Sequence, residues 1–173
     1  LAAIIAIILK HIIKINSRHI FNPAVSGLFL VMILFQAQIG WWVGQILWLT
    51  IIFGIYLMYK IKNYFLIFSY LTAGMVLSII YTLTKSQSLT MGAVFFSVNL
   101  FFMFFMLVEP MTAPVRKKGK IIYGILVAII SFLILIFIPQ YEPSILALII
   151  TNLLLGKMAK KKMQNIGKTW RKD

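Results

Sequence analysis

Cysteine is absent from the 173 residues, and only three positions are acidic. Without cysteine there can be no disulfide within the chain, no thiol nucleophile and no thiolate-ligated iron–sulfur cluster. Two histidines and three carboxylates leave too few ligands for a well-filled transition-metal site. Polar surface is scarce as well: 62% of the residues are hydrophobic and the mean hydropathy is +0.99. Soluble domains hold roughly 45–50% apolar residues, and no amphipathic pattern hides so large an excess in a chain this short. The solvent implied is lipid. Residue 1 is Leu and the apolar run has already begun there. The sequence therefore reads as cut inside a helix, and not as a signal peptide, because no basic segment precedes the run.

A membrane-crossing helix needs about 20 apolar residues. The hydropathy pattern predicts an all-α polytopic membrane protein with about seven transmembrane helices at 1–15, 23–39, 41–59, 64–83, 89–108, 121–138 and 143–157. Together they form a transmembrane domain over 1–157, and a basic tail follows at 158–173. The second and seventh spans are short, so tilt or local bilayer thinning must make up their length. If all seven cross, sixteen of the seventeen Lys and Arg residues fall on one face and only Lys85 on the other. Basic residues flanking short loops mark the cytoplasmic side. The expected orientation is thus N-terminus outside and C-terminus cytoplasmic, in a multi-pass plasma-membrane protein. The net charge of +14 then reflects orientation and anionic lipid rather than nucleic acid, since no aromatic–basic interleaving or recognition motif accompanies it.

Glu109 closes an apolar run and is followed by Pro110-Met111-Thr112-Ala113-Pro114 and the cluster Arg116-Lys117-Lys118-Gly119-Lys120. A carboxylate near hydrocarbon costs several kcal/mol unless paired, neutralised or hydrated. Two prolines so close together also break the helix and release backbone groups. An acid, a broken backbone and a basic cluster together point to a site rather than a plain loop. Asn22-Pro23 lies on the same expected face; it reads as a helix start, or as a polar group with free amides facing a ligand. The two are expected to approach each other, with Arg18 or Arg116 as the cation that keeps Glu109 ionised. Gly40-Trp-Trp-Val-Gly44 has small-xxx-small packing spacing, and Glu142-Pro143 opens the last helix. Asn99, Thr151 and Asn152 are polar groups at membrane depth, where interhelical hydrogen bonds are the default role.

Three stretches, in order, resemble the RnfD/NqrB family, the membrane flavoprotein subunits D of Rnf complexes and B of the sodium-translocating NADH:quinone reductase. They are Ser17-Arg-His-Ile-Phe-Asn-Pro-Ala-Val-Ser-Gly27, Glu109-Pro-Met-Thr-Ala-Pro114 with Gly119-Lys-Ile-Ile-Tyr-Gly124, and Glu142 to Asn152. The resemblance implies a subunit of a flavin-dependent electron-transport complex coupled to Na+ or H+ translocation, part of a membrane oxidoreductase rather than a self-sufficient enzyme. It implies other membrane and reductase subunits as partners. It also implies a non-covalent riboflavin or FMN near Asn22, Glu109, His19, Thr112 and Asn152. Glu109 stands where the family has Asp, and His19 where it has Asn. The family's Ser-Gly-Ala-Thr segment, whose threonine carries covalent FMN, is missing from the interval 28–40, so no FMN-threonine is expected. The other readings are a non-redox transporter or channel, with Glu109, Asn99 and Asn152 along a polar path, and a structural membrane subunit that has lost its cofactor.

Overall fold

A computed structural model describes residues 1–12, 14–15, 18–19, 22–40, 46–84, 99–109, 112–114 and 116–155. Its α-helices are α1 (Ala2–Ile12), α2 (Pro23–Phe35), α3 (Leu47–Ile61), α4 (Tyr64–Thr84), α5 (Lys117–Phe137) and α6 (Pro143–Leu155). A π-helix at Phe102–Met106 lies between α4 and α5. The first expected span ends at Ile12, and the chain then forms two two-residue strands, β1 (Lys14–Ile15) and β2 (Arg18–His19). They pair antiparallel, Lys14 opposite His19 and Ile15 opposite Arg18, so the described chain is not wholly helical. Residue 13 and the segments 41–45, 89–98 and 156–157 of the expected spans, with the tail 158–173, lie outside the described residues.

Local chemistry accounts for most helix ends. Asn22 caps α2 and Pro23 supplies a preset φ at its first position. Gln36 and Lys62 turn left-handed, at φ 49° and 55°, and end α2 and α3. The fifth expected span starts afresh at Asn99: the Phe102 amide donates to Asn99 Oδ1 at 2.9 Å and the Met103 amide to the Asn99 carbonyl at 2.9 Å. That is an N-cap, which gives the Asn99 side-chain oxygen a local role. The run Phe101-Phe-Met-Phe-Phe-Met106 has no polar residue to define an outer stripe. It widens into a π-turn closed by the Leu107 amide on the Phe102 carbonyl at 2.9 Å. Helix α5 begins four residues before its expected apolar start because the lysine stems can run along the helix while their ammonium groups stay outside.

Two helices, α4 and α5, are long and apolar enough among the described residues to cross a membrane. They form the most extensive pair, and Gly124 makes their closest approach possible. A Cβ at that position would overlap Ser69 Oγ and stand 2.7 Å from the Leu66 carbonyl oxygen. Most of the core lies at one end of the pair, where Val25, Leu66, Ile67, Phe102, Met103, Leu107, Tyr123, Val127, Ile145 and Leu148 are buried, while Ile134 is buried further along α5. The far halves of α4 and α5 present Val76, Ile80, Leu83, Leu133 and Phe137 outward. Helix α6 does not run the length of the pair. Tyr70, the seventh residue of α4, lies close to Ser144 at the start of α6. The Glu142 amide points at Met32 Sδ, 3.4 Å away, near the end of α2. Thirteen residues at about 1.5 Å each therefore carry α6 only along the half of the bundle where the core lies.

Candidate functional site

The short helix that begins at Asn99 ends at Glu109, and its last carbonyls need partners from elsewhere. Two asparagines from distant helices provide them. Asn63, buried in the link between α3 and α4, donates its side-chain amide to the Val108 carbonyl at 3.1 Å. Asn22 donates Nδ2 to the Met106 carbonyl at 3.4 Å, while its Oδ1 accepts from the Ala24 and Val25 amides at 2.9 and 3.1 Å. One asparagine thus starts α2 and reaches the end of the π-helix three residues before Glu109. The expected approach of the Asn22 and Glu109 segments is present. The Asn22 amide gives one of its two N–H groups to the protein's own backbone.

Glu109 is half-buried. Its carbonyl accepts from the Thr112 and Ala113 amides at 3.3 and 3.0 Å, which folds the proline-flanked stretch into a turn and keeps half-buried Thr112 beside the acid. The carboxylate stands within electrostatic reach of Tyr123 on α5. The Tyr123 hydroxyl donates to Asn152 Oδ1 on α6 at 2.5 Å, and both residues are buried. Next to Asn152, Thr151 is fully buried and its hydroxyl has no hydrogen-bond partner among the described residues.

Three elements therefore bring Glu109, Tyr123 and Asn152 to one place, with Thr112 in the adjoining turn. His19 is placed only as the strand partner of Lys14, and its side chain lies outside the description. Arg116 sits exposed at the start of α5. Sequence reasoning missed Asn63 and Tyr123 as contributors. Asn63 stands alone between two apolar helices, a position that marks a polar anchor. Tyr123 lies within the stretch Gly119–Gly124 already singled out, though nothing in its spacing reveals Asn152 as its partner. At this end of the bundle the chain presents a carboxylate, hydroxyls and a buried amide around an interrupted helix. Such a set binds a polar, hydroxyl-bearing molecule or a hydrated cation.

Comparison with curated proteins and with solved structures returns no match. The profile of the NQR2, RnfD, RnfE family matches residues 43–163. That stretch takes in Glu109, Thr112, Tyr123 and Asn152 and leaves out His19 and Asn22. It covers well over half of the chain, which therefore belongs to the NQR2, RnfD, RnfE family, the membrane subunits of electron-transport and ion-translocating complexes.

Proposed function

We propose that the chain is the membrane subunit of a flavin-dependent electron-transport complex coupled to Na+ or H+ translocation, with a non-covalent riboflavin or FMN at the Glu109 end of the bundle. The observation that carries this reading is the convergence of Glu109, Tyr123 and Asn152 from three elements, all within the family match. The donor set suits a flavin. A carboxylate can accept from ribityl hydroxyls, Thr112 adds a hydroxyl, and the Tyr123–Asn152 pair offers an amide to the isoalloxazine edge. Thr151 adds a buried hydroxyl whose hydrogen-bonding capacity the described residues leave unused. Asn22 serves by building the site's wall rather than by touching the ligand. When bound, the flavin would supply the electron relay, and the chain's own residues hold and orient it. Other membrane and reductase subunits supply and remove the electrons.

Purified full-length chain should show flavin absorption bands near stoichiometric yield, and acid denaturation should release all of the flavin. A fluorescent band that stays with the polypeptide on a denaturing gel would refute non-covalent binding. Flavin-free wild-type protein would instead favour a non-redox transporter.

In this reading the basic end is cytoplasmic, in a multi-pass plasma-membrane protein. Single cysteines at Ser86 and Lys118 should then label from opposite sides of sealed vesicles. Labelling of both from one side would end the seven-span topology.

A further inference from the structure

Helices α3 and α4 are joined by Lys62 and Asn63 alone, and both residues hold the stretch that carries Glu109. The Asn63 side-chain amide donates at 3.1 Å to the Val108 carbonyl, which belongs to the peptide group leading into Glu109. On the far side of that stretch, the Lys120 ammonium of α5 donates to the Lys62 carbonyl at 3.1 Å. One short link therefore grips the chain both before and after the turn at Glu109. Asn63 has little freedom of its own. It is 3% exposed, and its carbonyl accepts from the Leu66 and Ile67 amides at 3.0 and 3.2 Å to begin α4. Lys62 is held left-handed at φ 55°, a conformation that residues other than glycine seldom adopt.

A carboxylate placed just after the last carbonyls of a helix meets their partial negative charge. The Asn63 amide takes up part of that charge at the carbonyl next to Glu109 in the chain. It also fixes the plane of the peptide from which the Glu109 residue departs. We propose that Asn63 is a positioning residue for Glu109, acting through the Val108 peptide to set the direction and the electrostatic surroundings of the carboxylate. The flavin reading above supplies the ligand for one of its tests, while the coupling of Asn63 to Glu109 rests on the hydrogen bond to Val108. Tyr123 meets the same carboxylate from α5.

The first measurement is a double-mutant cycle on the full chain, with riboflavin affinity read by fluorescence titration of apo-protein. Asn63→Ala should weaken binding roughly tenfold when Glu109 is present, and by less than about twofold in the Glu109→Ala background. Ile134→Ala, buried further along α5, is the control for general loosening, and any loss it causes should be the same in both backgrounds. Equal losses from Asn63→Ala in the two backgrounds overturn the proposal. The second measurement needs no flavin. It follows the modification of Glu109 by dicyclohexylcarbodiimide, read by peptide mass spectrometry, which responds to the protonation and surroundings of the carboxyl itself. Asn63→Ala should change that rate several-fold, Asn63→Gln, which keeps an amide, should stay nearer wild type, and Ile134→Ala should leave it as it is. An unaltered rate in Asn63→Ala overturns the proposal. Wild type that binds no riboflavin sinks the flavin reading, and the carbodiimide rates then decide the role of Asn63 alone. Should Asn63→Ala not fold, Asn63→Ser takes its place in both measurements, because it stays polar but holds its donor short of the carbonyl.

Discussion

Glu109→Ala is expected to strip the purified protein of most of its flavin, whereas Asn22→Ala should act mainly on stability. The two residues looked equivalent as ligand contacts until their hydrogen bonds were placed. Glu109 offers a charged acceptor at the end of an interrupted helix, and a charge-assisted hydrogen bond lost there costs about 1.5–3 kcal/mol, or roughly ten- to hundredfold in affinity. Glu109→Gln keeps the shape and loses the charge, so it should fall between wild type and alanine. Asn22, by contrast, spends Oδ1 on two amides of α2 and Nδ2 on the Met106 carbonyl. Losing an N-cap of this kind costs about 0.5–2 kcal/mol, and the bridge to the π-helix goes with it. Flavin titration of apo-protein, paired with chemical unfolding of the same samples, separates the effects. A flavin affinity unchanged in Glu109→Ala would remove the carboxylate from the site. A selective affinity loss in Asn22→Ala, with stability intact, would put the asparagine back against the ligand.

Gly124→Val should be the most destabilising single substitution at the α4–α5 contact, on the order of 3 kcal/mol or more. The new Cβ would overlap Ser69 Oγ, which a rotamer change could relieve. It would also stand 2.7 Å from the Leu66 carbonyl oxygen and 3.0 Å from the Tyr70 amide nitrogen. Those are backbone atoms of α4, so relief means moving the helices apart. Separation there opens the packing of Leu66, Tyr70 and Val127 and tilts Tyr123, the preceding residue, away from Asn152. Gly40→Val is the control, because a Cβ at that position meets nothing within 4 Å. Unfolding midpoints in detergent should fall sharply for Gly124→Val and stay near wild type for Gly40→Val. Equal midpoints for Gly124→Val and wild type would mean that α4 and α5 do not pack at this distance. Ser69→Ala should not rescue the valine variant, since it removes only the movable obstacle.

The sequence by itself determined that the chain is mainly apolar helix and which end of the bundle is basic. Hydropathy and charge act over single turns of chain and need no partner to be read. It also placed the start of α2 at Asn22-Pro23 and the break at Glu109-Pro110, because capping oxygens and proline rings act on backbone within a few residues. The three motifs around Asn22, Glu109 and Asn152, taken together and in order, pointed to the family. Tertiary structure decided the rest. That Asn99 caps the helix that follows it is announced by no proline nearby. The partners of Asn22, Asn63 and Tyr123 lie 84, 45 and 29 residues away. No periodicity along the chain encodes which carbonyl or amide will stand opposite a given side chain. That follows from where the helices come to rest against one another. Their resting places are set by the glycine contact at position 124 and by the need to satisfy the carbonyls at the end of the π-helix away from water.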